Sequence, residues 1–343
     1  MLDDQNVIAQ RDKSDALALA AATPDQLRHN FGVGPQQTSV DIRNVVFAGM
    51  GGSALQAEFA KTWPHLSVPF VIVKDYDAPG FVDEHTLFIA ASYSGNTEET
   101  LSALAQARAK NPTIVIMSGG GKLQEAAVEA GDLFVQIPKA VQPRMAVFYA
   151  YRALVEVLVA YGLVSETVIA ELETAADHLE GEVRQWEKTV PLKDNPAKQL
   201  ALQLVGKTTV IYAGTKMAPA AYKWKIGINE SAKNTAWWDV LPEFNHNEFI
   251  GWSSHPVEKP FAVVDLLSSF EHERIQKRFA VTDRLLSGLR PKAITIEARG
   301  TSAVEQMLYL VLFGDFVSLY LGILNGVDPS PVELVERFKK ELG

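Results

Sequence analysis

From residue 42 onward, short, mainly apolar runs alternate with longer stretches of mixed character. The runs 45–48, 70–74, 87–91, 114–117 and 134–137 are separated by helix-forming segments such as 54–63 and 98–110. Apolar runs without polar alternation predict strands covered on both faces, and strands that alternate with helices predict a parallel sheet. Between 144 and 190 the pattern turns helical throughout, with Val147, Leu154, Val155 and Leu158 at roughly helical spacing. The first pattern then returns, because Val210-Ile211-Tyr212-Ala213-Gly214 repeats the character of Val45-Val46-Phe47-Ala48-Gly49. Further strands are expected at 261–266 and 293–296, and closing helices at 302–325 and 331–342. Before all of these, residues 15–31 are mostly helix formers, with Thr23-Pro24 as a helix start, and predict a lid or an N-terminal brace.

The pattern predicts an α/β protein of two tandem doubly wound parallel sheets flanked by helices. Its expected divisions are 1–153 (first domain with brace), 154–190 (helical connector) and 191–343 (second domain with closing helices). The 47% hydrophobic fraction over 343 residues supplies a sizeable core. A net charge of −9 argues against a nucleic-acid or anionic-membrane binder, which needs a concentrated basic face, while leaving room for a small anion held locally. The absence of cysteine excludes disulfides, thiolate metal sites and a cysteine nucleophile. Met1-Leu2-Asp3-Asp4-Gln5-Asn6 is acidic where a secretion signal would be basic, and no uninterrupted apolar run approaches the roughly 20 residues of a membrane helix. A cytoplasmic protein is expected.

Two loops carry the candidate chemistry. The first apolar run ends in Gly49-Met50-Gly51-Gly52-Ser53-Ala54, and the run 87–91 feeds Ser92-Tyr93-Ser94-Gly95-Asn96-Thr97 before another helix. Each places free N–H groups and hydroxyls at a helix start, which is a seat for an anion. Ends of adjacent parallel strands would bring the two to one phosphate. The first loop also fits the G-x-G-x-x-A dinucleotide fingerprint, with Asp75 near the place of a ribose-binding acid. Against that reading, a dinucleotide has no need of Ser92, Ser94 and Thr97; three hydroxyls suit a terminal phosphomonoester. The plainest alternative is that these hydroxyls cap helices, above all Thr97.

These loops resemble those of the sugar isomerase (SIS) domain. With its tandem halves and the closing Gly326-Val327-Asp328-Pro329-Ser330-Pro331-Val332, the whole chain from about Val45 resembles the bifunctional phosphoglucose/phosphomannose isomerases. The resemblance implies that Gly51, Gly52, Ser53, Ser92, Ser94 and Thr97 bind the phosphate of a sugar 6-phosphate. It further implies an aldose–ketose isomerase acting through an enediol on glucose 6-phosphate, mannose 6-phosphate and fructose 6-phosphate, without a cofactor.

Such a reaction needs a carboxylate base, a ring-opening proton carrier and a cation for the developing oxyanion. The polar segments Asn229-Glu230-Ser231 and Asn245-His246-Asn247-Glu248 are the richest sources. In the resembling enzymes the glutamate of the first is the base and the histidine of the second opens the ring, which fall on Glu230 and His246. The apolar stretch before Glu230 offers partial burial, and pairing with Lys233 is the structural alternative. The family's arginine falls on Arg144, an always-charged stabiliser of enediolate oxygens or, in the plainer reading, a surface residue at a helix start. In the last long helix the family places a hydroxyl and, two turns on, a lysine; here stand Ser318, able to help accommodate either C2 epimer, and Asn325. Glu243, His246 and Glu248 are residue types that bind metals, but no second histidine lies at suitable spacing. His29, His65, His85, His178, His255 and His272 read as loop or surface residues. A homodimer with shared active sites is implied, the histidine reaching a neighbouring subunit. Two other classes stay open at this point: a non-catalytic sugar-phosphate sensor, though no helix-turn-helix is evident, and a nicotinamide-dependent oxidoreductase.

Overall fold

The computed structural model describes residues 1–37, 40–140, 142–254 and 260–342. The chain begins with two short helices, α1 (Gln5–Arg11) and α2 (Ala16–Ala21), which pack with the C-terminal half: Met1–Ala22 and Asp177–Gly343 form one unit and Thr23–Ala176 the other. Polar anchors account for this. The Arg11 guanidinium donates to the Ile323 carbonyl, and Lys188 Nζ meets Asp15 Oδ1 at 2.6 Å. The divisions therefore fall at 22/23 and 176/177, where the sequence pattern placed them at 153/154 and 190/191.

The 23–176 unit runs α3 (Thr23–Gln26), β1 (Asn44–Ala48), α4 (Leu55–Thr62), β2 (Phe70–Val73), β3 (Thr86–Ser92), α5 (Glu98–Arg108), β4 (Thr113–Ser118), α6 (Gly121–Ala130), β5 (Leu133–Gln136), α7 (Val147–Ala160), and α8 (Thr167–Val183), which crosses the boundary. Its sheet is parallel throughout, in the order β2-β1-β3-β4-β5. Every residue of β3 is buried, the expected state of a central strand with helices on both faces. Val46, Ala48, Phe88, Ala90 and Ile116 meet Leu104 and Leu123 of the covering helices in one core cluster. On α7, Arg152 and Glu156 are buried as a pair 2.8 Å apart, and the carboxylate also accepts the Phe31 N–H at 3.1 Å.

The second unit continues with α9 (Pro196–Leu204), β6 (Thr208–Gly214), α10 (Ala218–Glu230), β7 (Ala236–Leu241), α11 (Glu248–Gly251), β8 (Phe261–Leu267), α12 (Glu273–Leu285), β9 (Ile294–Glu297), α13 (Ala303–Leu324) and α14 (Glu333–Leu342). Its parallel sheet has the order β7-β6-β8-β9, so β6 occupies the central place that β1 holds in the other sheet. The strand β7 was not expected from the sequence. It lies at the sheet edge with Trp237 55% exposed, so it lacks the wholly apolar run that marks the inner strands.

The helix α13 is apolar around its whole circumference, with a mean hydropathy of 2.0 in its most apolar window, and by length and composition it meets the test for a membrane span. Here 89% of that window is buried within the protein, the environment expected of a core helix. Of its two charged residues, Glu305 lies in the first turn and Asp315, in mid-helix, is paired with Lys223 of α10. Close approach to α10 is set by a line of small residues four apart, Gly314, Ser318 and Gly322. A β-carbon at Gly314 would stand 2.3 Å from the Trp224 indole nitrogen, which donates to the Leu310 carbonyl at 2.7 Å. Gly314→Ala is accordingly expected to cost about 1–3 kcal/mol by overpacking, read as a lower urea midpoint with unchanged slope; an unaltered midpoint would show that the crossing is looser than described.

Candidate active site

The glycine turn begins where β1 ends. A β-carbon at Gly49 would stand 2.9 Å from the Ala91 carbonyl oxygen of β3, so the turn lies directly against the neighbouring strand. Gly51 has φ +50°, the left-handed region that other residues enter at a cost, and a 3₁₀ turn Gly51–Ala54 then leads into α4. Ser53 Oγ accepts the Tyr93 N–H at 2.9 Å, which ties this turn to the serine loop.

The serine loop is built on its own hydroxyls. Ser92 Oγ lies 2.7 Å from Thr97 Oγ1 and 3.5 Å from Ser94 Oγ, and accepts the Gly95 N–H at 3.1 Å. Thr97 stands at the N-cap position of α5, yet its hydroxyl makes no cap hydrogen bond and turns to Ser92 instead. The capping alternative thus fails for Thr97. Gly95 has φ +72°, and a β-carbon there would lie 1.7 Å from the Gly120 carbonyl oxygen. That contact reveals a third loop the sequence reading passed over, Ser118-Gly119-Gly120-Gly121 after β4. Its Gly119 N–H donates to the Tyr93 carbonyl at 3.1 Å, and the Leu123 N–H to the Gly95 carbonyl at 3.0 Å. A glycine run directly after an apolar run was the available signal.

Arg144 lies in a 3₁₀ turn, Pro143–Met145, and is only 4% exposed, so the surface reading does not describe it. Its backbone nitrogen is 3.3 Å from where a β-carbon on Gly52 would be, which seats this turn on the glycine turn. A small cavity follows, lined by Gly52, Ser53, Ser92, Tyr93 and Pro143 among others. The 23–176 unit therefore brings together Gly51, Gly52, Ser53, Ser92, Ser94, Thr97 and Arg144, with the N-termini of α4 and α5 facing the same strand edge.

Glu230, Ser318 and His246 belong to the other unit. Glu230 is the last residue of α10 and is partly buried. Lys233 is bound to its main chain: Nζ donates to the Glu230 carbonyl at 2.6 Å and to the Pro329 carbonyl at 3.4 Å. Lys233 has φ +51°, a left-handed position that glycine usually fills, and the Asn234 N–H reaches back to the Ile228 carbonyl at 3.2 Å, a closure one residue wider than the Schellman motif. Asn325, where the family pattern has a lysine, donates its amide to the Ala232 carbonyl at 2.9 Å and so fastens the same segment to the end of α13. Ser318 is 1% exposed, its hydroxyl donates to the Asp315 carbonyl at 2.9 Å, and it packs on Gly227 one turn before Glu230.

His246 is exposed at the end of a 3₁₀ turn, Glu243–His246, after β7. Its neighbours hold that turn from both sides. Asn245 donates to Thr282 Oγ1 at 3.0 Å and accepts from Arg278 Nη1 at 3.1 Å, while Phe244 is fully buried against Tyr212, ring centroids 4.5 Å apart. Glu243 accepts from Asn247 Nδ2 at 2.8 Å, and Glu248 accepts the Tyr212 hydroxyl. Among the described residues no three His, Asp or Glu side chains gather as metal ligands. His29, His65 and His272 are exposed, and His85 and His178 partly so; His255 lies outside the described residues.

The chain is a tandem α/β protein with two parallel sheets, the first of which carries glycine- and hydroxyl-lined loops at its strand ends. A model of the SIS domain matches residues 40–162, and one of the bacterial phospho-glucose isomerase C-terminal SIS domain matches residues 193–342. The bifunctional phosphoglucose/phosphomannose isomerase of Caldicellulosiruptor bescii is 35% identical over 328 residues, 93% of this chain and 96% of that one. Its counterpart in Aquifex aeolicus is 36% identical over 303 residues, 88% and 90% of the two chains. A solved structure of a glucose-6-phosphate isomerase like protein from Thermus thermophilus shares the fold with a TM-score of 0.66 at 20% identity, covering 99% of this chain and 98% of its own. The chain belongs to the bifunctional phosphoglucose/phosphomannose isomerase family.

The Glu248 carboxyl titrates above its ordinary value: partial burial raises it, the Tyr212 hydrogen bond opposes that, and Asp239 adds to it. Removing the hydroxyl removes the opposing contribution. Tyr212→Phe should therefore move the Glu248 titration further up in carboxyl-carbon NMR; a downward move would contradict the arrangement around His246.

Proposed function

We propose that this chain interconverts glucose 6-phosphate and mannose 6-phosphate with fructose 6-phosphate by an enediol mechanism. Membership of the family supports it, and so does the interlocked pair of loops at the ends of β1 and β3, which offers hydroxyls and helix N-termini to a terminal phosphomonoester. In this reading Gly51, Gly52, Ser53, Ser92, Ser94 and Thr97 hold the phosphate. His246 opens the ring by passing a proton to the ring oxygen as the C1–O5 bond breaks, while the C1 hydroxyl gives up its own proton and becomes the carbonyl. Glu230 then takes the proton from C2 of the open aldose, the C–H electrons form the C1–C2 double bond, and the carbonyl oxygen gains charge that Arg144 stabilises. The hydroxyl proton on O2 moves to the charged O1, and return of the carbon-bound proton to C1, with the C2 carbonyl forming as the double bond is used, yields the ketose.

The enediol is planar at C2, so glucose and mannose phosphates share one intermediate and differ only in the face that receives the proton on the way back. Ser318 contributes to tolerating both through its packing on Gly227 beneath Glu230. The reaction uses no cofactor. The protein acts in the cytoplasm, in glycolysis and gluconeogenesis, as a homodimer whose His246 serves a neighbouring subunit's site.

Incubation of the pure protein with fructose 6-phosphate and a chelator is expected to yield both aldose phosphates. Glu230→Gln should lower turnover by about 10²–10⁴-fold, the usual contribution of a positioned general base, while sugar-phosphate binding persists. If neither aldose forms under conditions where a control isomerase is active, the proposal fails.

A further inference from the structure

The two sheets are topological repeats, so their loops can be matched. β6 and β8 stand in the second sheet as β1 and β3 stand in the first. Thr215-Lys216-Met217-Ala218 follows Gly214 as Met50-Gly51-Gly52-Ser53 follows Gly49, and Ser268-Ser269-Phe270-Glu271 follows β8 as the serine loop follows β3. In the 23–176 unit the two loops are joined by the Tyr93 N–H donating to Ser53. In the second unit the bond runs the other way: Glu271 Oε1, from the loop after β8, accepts the Met217 N–H at 3.0 Å at the start of α10. Met217 occupies the place of Gly52.

Three observations show that the carboxylate is built into this place. Glu271 is 4% exposed, and its other oxygen, Oε2, has no hydrogen-bond partner among the described residues. The strand end is shaped for it, since a β-carbon on Gly214 would lie 2.2 Å from Glu271 Cδ. The N-terminus of a thirteen-residue helix favours a negative group, so the carboxylate meets there the conditions a phosphate would meet. Burial nonetheless raises its titration, while the backbone N–H groups of Met217 and Lys216 pull it back. A cavity of about 240 Å³ beside it is lined by Gln276, Phe279 and a second carboxylate, Glu297, and the Gln276 amide is already given to the Ser269 and Glu271 carbonyls at 3.2 and 2.9 Å. Lys216 and the Ser269 hydroxyl stand near, but an entering anion would meet two carboxylates and a Gln276 amide already spent on carbonyls.

We propose that Glu271 is an internal anion that fills the loop site of the 177–343 unit and closes it to phosphate, leaving one sugar-phosphate site per chain, in the 23–176 unit. The location of that one site rests on the function proposed above; the closure of the second does not. Sorbitol 6-phosphate, which keeps the phosphate but has no carbonyl to isomerise, provides the count. Calorimetric titration of the intact protein is expected to give one per chain, and two per chain would overturn the proposal. In Glu271→Ala the α10 N–H groups lose their anion, so inorganic phosphate should raise the melting temperature by about 2–4 °C beyond its effect on the wild type, with chloride at equal ionic strength giving no such gain. A folded variant with no phosphate-specific gain would overturn it as well. The wild-type count decides the matter if that variant does not fold. No binding at all by the wild type would sink the proposed function and leave the phosphate test of Glu271→Ala to decide this inference.

Discussion

In a parallel sheet every strand ends at one edge, and every helix that follows a strand begins there. That constraint governs this protein. It gathers helix N-termini, with their unpaired N–H groups and positive dipole ends, along a single rim in each sheet. A rim of that kind must be satisfied by something. In the 23–176 unit the loops satisfy part of it among themselves, through Ser53, Ser92, Thr97 and the Gly119–Gly120 backbone, and keep their hydroxyls at the rim. In the other unit a side chain of the same polypeptide does so.

The opposite end of α10 obeys a different requirement. A helix C-terminus presents unpaired carbonyls and disfavours negative charge, so a carboxylate there needs its segment fixed by other means. Small residues on α13 admit the helix to close range, Asn325 and Lys233 supply donors to the Ala232 and Glu230 carbonyls, and the left-handed Lys233 turns the chain away. Asn325 is short, uncharged and spent on the main chain. It braces the Glu230 segment, and the ammonium nearest that segment in sequence is Lys233.

Much of this was legible in the order of residues, and the omissions have physical causes. The inner strands announced themselves because burial on both faces removes polar alternation; β7, an edge strand with one wet face, did not. The loops were visible as glycines and hydroxyls after apolar runs. Thr97, in contrast, stood open between a helix cap and a phosphate ligand, since the choice between capping α5 and pairing with Ser92 depends on a distance no spacing encodes. For Arg144 a surface place at a helix start stayed open beside the stabilising role for the same reason: its burial follows from how Pro143 and Gly52 pack, which is a tertiary fact. The membership of α1 and α2 in the C-terminal unit rests on contacts such as Arg11 with Ile323, which bridge more than three hundred residues of sequence and leave no local trace. Glu271 was passed over because the repeat was sought in the first loop alone.

The net charge of −9 has the same sign as a dianion, but charges spread over a surface and a charge at a strand edge act at different ranges. Salt screens interactions beyond about 8 Å at physiological strength, so a distant surplus of carboxylates contributes little at a loop whose N–H groups stand within hydrogen-bond reach. What decides occupancy is the local balance of donors and acceptors. The 23–176 rim offers hydroxyls that both donate and accept, together with the buried Arg144 turn. The rim beside Glu271 has the Ser268 and Ser269 hydroxyls, both engaged with Gln306, but sets two carboxylates and a spent amide against an anion. One fold used twice thus differs in anion affinity through its loops alone, and substitutions at two strand ends suffice to leave a duplicated architecture with a single place for the substrate's phosphate.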